Sequence, residues 1–169
     1  LPGPLLEAMG PALRLLVRIL AAQGLWKEAE ETCRELAARH PAHPAAPAAW
    51  LDLALDLAAS NRADKARALL MQVETNYAGQ VWSERATLKI AELQMARGEQ
   101  APALQRLQAQ AENTNLLAET RAQGFRIVAQ ALGAASNYPA ALRLANRSIA
   151  ATADPAQRLE SEVVKARLL

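Results

Sequence analysis

The sequence predicts an all-α protein, a right-handed α-solenoid of about four helical hairpins followed by a C-terminal helix. The first reason is composition: 51% of the 169 residues are hydrophobic but only 4% are aromatic. Abundant Ala, Leu, Gln, Glu and Arg favour helices that pack closely through small side chains. A chain of this length is long enough for one well-buried domain and short for two.

The second reason is a regular repeat of helix breaks. Apolar residues three and four positions apart cover nearly the whole chain, and the breaks fall at Gly24 and at residues 60–62, 97–99 and 136–139. About five residues after each break stands an alanine. These alanines are Ala29, Ala66, Ala103 and Ala141, at intervals of 37, 37 and 38 residues. Self-similarity at such a period is typical of a solenoid.

The breaks divide each unit into two predicted helices. The pairs cover residues 11–23 and 25–39, 49–59 and 62–76, 82–96 and 99–112, and 117–135 and 138–151. A ninth helix is predicted from Asp154, where "DPAQ" offers an N-cap acceptor, a proline at the first helical position and Gln157 to close a capping box. That helix either caps the array or begins a fifth unit.

The stretch "PAHPAAP", residues 41–47, is the one low-complexity segment. Its three prolines predict a semi-rigid spacer between the first and second pairs. A domain boundary here is the alternative, but the repeat continues in phase across it. We therefore expect a single superhelix over residues 1–169, with repeats at about 10–43, 47–80, 84–117 and 122–155 and a capping or partial-repeat helix at 155–169. The loop-like "LPGP" start without Met and the "EVVKARLL" end suggest a fragment of a longer protein.

Large and small apolar residues alternate within the units in a characteristic order. In the second unit the order is Trp50, Leu53, Ala54, Leu57, Ala58, Ala63, Ala66, Leu70 and Val73. This order resembles the tetratricopeptide repeat (TPR) family. The third unit departs from it at Gln94 and Asn115, and the period exceeds the commonest 34 residues. Related helical hairpin repeats therefore stay open as alternatives.

The resemblance implies a way of binding rather than a chemistry. Residues 76–99 additionally resemble a repeat variant of bacterial cell-envelope scaffolds, in which a tyrosine, a short loop and an Ala-rich helix follow one another. The expected function is a non-enzymatic protein–protein interaction scaffold, in a bacterial envelope assembly or polysaccharide secretion system. The periplasm or cell envelope is favoured over the cytoplasm.

Catalytic and metal-binding patterns are missing from the sequence. The glycines do not form a phosphate-binding loop, and His40 and His43 lack neighbouring Cys or carboxylate ligands for a metal. Cys33 falls on the inner stripe of its helix and is expected to be a core residue. Asp52 and Asp56 are expected to lie on solvated faces, as both histidines are in a solvated loop. No enzyme activity, cofactor or metal site is predicted.

Charge and hydropathy restrict the partner. Lys and Arg total 19 and Asp and Glu total 17, and no block of like charge occurs. This balance gives little support to nucleic acid as a partner. No apolar run approaches the ~18 residues that span a bilayer, so no direct membrane insertion is expected. The oligomeric state is left open.

The candidate site is the concave side, which the first helices of a TPR-like solenoid line. Its expected residues are Arg14, Arg18, Leu51, Leu55, Arg85, Leu88, Glu92, Met95, Gln123, Arg126 and Gln130. Arginines, Leu, Met and a single acid favour an extended or helical peptide with apolar and acidic side chains. Trp26 and Trp50 are expected to be packing residues, whereas Trp82 is a candidate for exposure.

Two other functions are compatible with the same sequence. One is a ligand-sensing helical-repeat domain of a bacterial transcription regulator. The other is a structural spacer or self-association segment. The Asn and Lys clamp of chaperone-binding TPR proteins is not matched here, so no specific peptide motif is implied.

Overall fold

The computed structural model describes residues 4–169, with side chains from residue 9 onward, and in that range it contains nine α-helices and no β-strand. The helices are α1 (Pro4–Ala22), α2 (Trp26–Arg39), α3 (Ala45–Ala59), α4 (Ala63–Asn76), α5 (Val81–Ala96), α6 (Gln100–Glu112), α7 (Ala118–Ala134), α8 (Tyr138–Ala151) and α9 (Pro155–Arg167). The predicted all-α class and the order of the hairpins are confirmed. None of the helices in this range is long and apolar enough to cross a membrane.

One turn recurs between the two helices of every pair. Its central residue has a positive φ, and these residues are Gly24, Asn61, Gly98 and Ser136. In each turn the next N–H donates to the carbonyl five residues back, at 2.9 Å after Gly24, Asn61 and Gly98 and 2.8 Å after Ser136. This is a Schellman motif, which satisfies carbonyls left open at a helix end. The four turns have the same spacing as the four alanines, so the period is a property of the backbone.

The repeated alanines are buried at equivalent positions of the second helix of each pair. Ala29, Ala66, Ala103 and Ala141 are all completely buried. Two helices approach closely at Gly124 of α7, where a Cβ would lie 3.1 Å from the Cβ of Ala111 in α6. Small residues let helix backbones come close without a cavity, because protein interiors are packed at nearly crystalline density.

The chain divides into two compact units, unit 1 (Leu1–Ala86) and unit 2 (Thr87–Leu169), with the division inside α5. In unit 1, α1 packs against α2 and α3, and α3 packs against α2 and α4. In unit 2, α7 packs against α6, α8 and α9. The single superhelix expected over residues 1–169 stays a prediction.

The predicted starts of α1 and α3, the first helices of the first two pairs, are wrong by several residues. α1 begins at Pro4 and runs through Pro11, which had been expected to begin it. Residues 1–3 of the loop-like start lie outside the described part. α3 begins at Ala45, four residues before its predicted start at residue 49, and Pro47 is buried inside the helix. Proline is tolerated there because N–H groups of a first helical turn have no intrahelical acceptor.

The start of α9 follows the prediction in part. Asp154 is the N-cap, since its Oδ1 accepts from the Ala156 N–H at 3.0 Å, and Pro155 is the first helical residue. The expected capping box is wrong in its second half. The Asp154 N–H donates to Thr152 Oγ1 at 3.1 Å, which takes the place foreseen for Gln157.

Candidate interaction surface

An open groove runs along α1 in unit 1. It consists of two adjoining cavities of about 390 and 530 Å³ that share Leu15 and Arg18. The first also has walls from Pro11, Arg14, His43, Pro44, Ala45 and Trp82, and the second from Ile19, Ala21, Ala22, Gly24, Trp26, Asp56, Ala59 and Ser60. We call this surface the α1 groove.

The α1 groove exists because one face of α1 is apolar and uncovered. Pro11, Leu15, Arg18 and Ala22 are spaced four, three and four residues apart, so they share a face of the helix. Leu15 is 55% exposed and Ile19 is 46% exposed. Arg14 and Arg18 are the only charged residues between positions 9 and 22. A helix that is apolar around most of its circumference is normally covered by another element.

Two aspartates of α3 balance the two arginines of α1. Arg14 donates from Nε and Nη2 to the Asp52 carboxylate at 2.7 and 3.1 Å. The hydrogen bond from Arg14 to Asp52 raises the pKa of that guanidinium. The expectation that Asp52 lies on a solvated face is therefore wrong, because this fork-shaped pair joins α1 to α3.

Asp56 lies one helical turn beyond Asp52 and borders the α1 groove beside Arg18. Burial raises the pKa of Asp56, the negative charge of Asp52 raises it further, and Arg18 acts in the opposite direction. Asp56 is half-buried, so its expected placement on a solvated face is also wrong. The groove is closer to charge balance than the sequence suggested.

Aromatic rings stand at both ends of the α1 groove, each beside an arginine. The Arg85 guanidinium lies over the Trp82 ring at 5.4 Å from its centroid, and Arg62 lies over Trp26 at 5.5 Å. All three tryptophans are half-buried, including Trp50, which lines a separate cavity with Arg34 and Tyr77. Cation–π contacts of this kind fix the orientation of a half-buried ring.

The histidines lie in the loop between α2 and α3, as expected, but they are less exposed than predicted. Both are half-buried. A Cβ at Gly10 would collide with the His43 ring, so glycine lets this ring lie against α1. His43 Nδ1 accepts from the Ala45 N–H at 3.0 Å, at the start of α3. His43 is therefore a structural wall of the α1 groove.

The remaining candidates of unit 1 differ in exposure. Leu51 is 6% exposed and belongs to the core, so its expected place on a binding face is wrong. Leu55 and Arg85 are exposed. Sequence reasoning missed Leu15, Ile19 and Pro11, although the apolar stretch from Ala12 to Leu20, interrupted only by Arg14 and Arg18, was a usable signal.

Unit 2 contains the other candidates. Leu88 is 5% exposed and lies in a core cluster with Ala91, Leu107 and Val128, against which Met95 also packs. Leu88 is thus a core residue, contrary to expectation. Glu92 pairs with Lys89 at 2.8 Å, while Arg126 of α7 pairs with Glu160 of α9 at 3.1 Å.

Two glutamines of α7 complete the set in unit 2. Gln123 is half-buried and Gln130 is exposed. Gln130 borders a cavity of about 390 Å³ with Tyr138, Val164 and Arg167. Among the described residues, no cluster of three or more His, Cys, Asp or Glu side chains could hold a metal ion.

Comparison with known proteins identifies the fold. No family model matches the sequence, and no curated protein sequence matches it. Solved structures of TPR-like repeats are similar to it. Repeats assigned to a kinesin light chain of Podosopora anserina have 21% identity and a TM-score of 0.62, over 94% of this chain and 84% of theirs. A variant of these repeats has 23% identity and a TM-score of 0.63 over the same shares.

A further similar structure is the C-terminal part of a TPR repeat-containing protein from Cytophaga hutchinsonii. It has 17% identity and a TM-score of 0.52, over 90% of this chain and 58% of that chain. These identities are low, and the likeness therefore concerns the fold. The chain adopts an all-α, TPR-like repeat fold, as the order of large and small residues predicted.

Proposed function

We propose that this TPR-like chain is a non-enzymatic protein-interaction scaffold that binds a partner segment in the α1 groove. The observation that carries the proposal is the uncovered apolar face of α1, with Leu15 and Ile19 half-exposed on either side of Arg18. Covering apolar side chains is the main favourable term in protein association. TPR-like repeats in general serve as interaction scaffolds.

The dimensions of the groove suit a short segment. Pro11 and Ala22 are eleven residues apart on α1, about 16 Å along the helix axis. That length accommodates about three turns of a partner helix or about five residues of an extended strand. The aromatic rings of Trp82 and Trp26 border its two ends.

The charges of the groove restrict the partner further. Arg14 already donates two hydrogen bonds to Asp52. Arg18 is therefore the guanidinium of α1 that we propose for contact with the partner. Arg18 itself lies near Asp56. The partner we propose has several apolar side chains and a carboxylate directed at Arg18, rather than a run of acids. Leu55 and Arg85, which also belong to unit 1, are proposed further contacts of this partner. Gln123, Arg126 and Gln130 remain candidate contact residues of unit 2 by itself.

The biological setting that we propose is a bacterial envelope assembly or polysaccharide secretion system. It is supported by the resemblance of residues 76–99 to repeats of cell-envelope scaffolds. The structure of that segment has Tyr77 at the end of α4, a turn with Gly79 at positive φ, and then α5. A full-length gene with a signal peptide would support this setting, and a DNA-binding domain would contradict it.

Selection from a library of displayed 16-residue peptides tests the proposal. The full 169-residue chain is the target, and we expect enriched sequences with apolar residues at i, i+4 and i+7 and an acid nearby. Fluorescence anisotropy then measures the affinity of the best peptide. Leu15→Glu with Ile19→Glu should weaken binding at least tenfold, because each change places a charge on the apolar wall.

Met71→Glu is the matched control, since Met71 is an exposed apolar residue of α4 outside the α1 groove. Its affinity should equal that of the native chain. Arg18→Ala should weaken binding of peptides that contain the acid and leave acid-free peptides unchanged. Equal binding by the native chain and the Leu15/Ile19 double variant would refute the α1 groove as the site.

A further inference from the structure

The exposed large apolar side chains of the described residues are not spread evenly. Five of the twelve lie between residues 9 and 25, namely Met9, Leu15, Leu16, Ile19 and Leu25. Three more, Leu159, Val163 and Leu169, lie in or directly after α9. The other four are isolated in the sequence. Two helices, α1 and α9, therefore present uncovered apolar surface, which soluble proteins generally keep small or use for association.

The outer face of α9 is a narrow apolar stripe. Leu159, Val163 and Ala166 are four and three residues apart, so their side chains are neighbours on the helix surface. Leu159 is 62% exposed and Val163 is 42% exposed.

The opposite face of α9 is held in place by buried contacts. Val164 packs with Ala129 and Ala145, and Ser161 Oγ lies 2.8 Å from Ser148 Oγ. These contacts determine which face of α9 is directed outward, so the apolar stripe is a stable feature of unit 2.

The apolar and acidic side chains along the stripe match those proposed for a partner of the α1 groove. Glu160 and Glu162 flank Leu159 and Val163 and are both exposed. Each has a partner on its own chain, Arg126 for Glu160 and Arg158 for Glu162. The Arg158–Glu162 pair is exposed on both sides, so it is weak and its carboxylate can exchange partners, whereas in the other pair Glu160 is exposed but Arg126 is only 20% exposed. α9 thus combines apolar anchors at i, i+4 and i+7 with carboxylates beside them, as the groove and Arg18 require.

The lengths also agree. The thirteen residues of α9 extend over about 20 Å, against about 16 Å for the α1 groove. We propose that α9 of a second copy of this chain occupies the α1 groove, with Leu159 and Val163 against Leu15 and Ile19. This inference rests on the groove being a binding site, and it names a second copy as an occupant. The contact is heterologous, so copies associate head to tail.

A single helix in a groove makes a small interface. Interfaces that bury less than about 1,200 Å² are typical of weak and transient complexes. We therefore expect association with a dissociation constant on the order of 10–100 μM. A partner that binds the groove more tightly would displace α9 and return the chain to monomers.

Sedimentation velocity of the full chain, from about 1 to about 500 μM, tests the proposal. Two double variants and one single variant are compared with the native chain. The groove variant is Leu15→Glu with Ile19→Glu, the helix variant is Leu159→Glu with Val163→Glu, and the control is Met71→Glu. The native chain and the control should associate as concentration rises. The groove and helix variants should each stay monomeric, because one side of every contact is lost.

An equimolar mixture of the groove and helix variants is the decisive sample. The first retains an intact α9 and the second an intact groove, so the mixture should form dimers and nothing larger. Circular dichroism of each variant verifies that it is folded. Gln at the same positions replaces Glu if a variant does not fold, with a smaller expected loss of association.

Three results would overturn the inference. They are a native chain that is monomeric at every concentration, a helix variant that associates like the native chain, and a mixture that stays monomeric. The second result would indicate pairing of α1 with α1 instead. Peptide binding by the helix variant, whose groove is intact, separates the two proposals. Binding without self-association would leave the proposed function in place and remove α9 as the occupant.

Discussion

The Cys33 thiol is completely buried, and it lies on the inner stripe of α2 with Ala29 and Leu36. Burial, and then the negative charges of Glu30 and Asp52, raise the pKa of Cys33 to about 12. A buried and protonated thiol is a poor nucleophile. The residue therefore contributes to packing, as the inner stripe predicted.

Cys33 should react with a thiol reagent such as DTNB at pH 8 only when the chain opens. We expect complete reaction in denaturant and a reaction in buffer at the rate of unfolding. Because the folded pKa is raised, the unfolded thiol ionises first. The contribution of Cys33 to the free energy of unfolding is therefore fully present below about pH 9, and it is lost as the pH rises toward 12. Fast labelling of the folded chain at pH 8 would contradict this account.

Asp56 has a different consequence for stability. Burial and the neighbouring Asp52 raise its pKa more than Arg18 lowers it. The ionised form is therefore less favourable in the folded chain than in the unfolded chain above the ordinary pKa of Asp. Asp56→Asn should raise the midpoint of urea unfolding at pH 7. The gain should diminish toward pH 3, where Asp56 of the native chain is protonated in both the folded and the unfolded state.

Asp52→Asn is the matched comparison for that measurement. Asp52 accepts two hydrogen bonds from Arg14, and so its loss should destabilise the chain at pH 7. The prediction fails if both variants shift the midpoint in the same direction.

At the scale of the elements, the four Schellman turns place three residue types in one conformation. Gly24 and Gly98 have φ of 75° and 80°, while Asn61 and Ser136 both have φ of 60°. Glycine adopts this region freely, asparagine tolerates it, and serine is less favourable there. The same turn therefore has a different intrinsic stability in each repeat.

Ser136→Gly should stabilise the chain by about 0.5–1 kcal/mol, because the left-handed backbone strain is removed. Gly98→Ala should destabilise it by about 1 kcal/mol. A Cβ at Gly98 would meet nothing within 4 Å, so the second change reports on the backbone alone. Urea denaturation of both variants measures the free energy of unfolding. Opposite signs are expected, and equal signs would refute the shared turn.

The buried alanines provide a second measurement of the repeat. Ala66→Leu and Ala103→Leu should each destabilise the chain by about 1–3 kcal/mol through overpacking. Ala68 lies two residues from Ala66 on the same helix and is exposed, so Ala68→Leu should change stability by less than about 0.5 kcal/mol. Similar losses at Ala66 and Ala68 would invalidate the register.

At the scale of the whole molecule, function is proposed to depend on one uncovered groove in a helical framework. A peptide selected for the α1 groove should stabilise the folded chain by mass action. At a hundred times its dissociation constant the gain is about 2.7 kcal/mol, which corresponds to roughly 5–10 °C in the melting temperature for a chain of this size.

Hydrogen exchange with the same peptide should show the added protection in α1 and α3, whose residues line the groove. Leu15→Glu with Ile19→Glu should remove both the thermal shift and the protection. A thermal shift that persists in this variant would locate binding elsewhere in the chain.

The helices and their period could be predicted because both depend on local chemistry. Apolar spacing of three and four residues and the breaks near Gly24 and Gly98 act over a few positions, and α4, α5, α6 and α8 lie within about a residue of their predicted bounds. The starts of α1 and α3 were wrong because proline was treated as an absolute helix breaker. Pro47 lies in a first turn, where its missing N–H removes no intrahelical bond.

The candidate site was predictable only in outline. Leu51, Leu55 and Leu88 have equivalent sequence settings, yet only Leu55 is exposed. Exposure depends on which neighbouring helix covers a face, and this is a property of packing rather than of spacing.

By itself, the sequence determined the helical class, the repeat of 37 or 38 residues and the small residues at the helix crossings, since these follow from propensity and periodicity. The tertiary structure alone decided the pairing of Arg14 with Asp52, 38 residues away, and the open groove along α1. Contacts between residues so distant in the chain depend on how helices pack, and no local pattern encodes that.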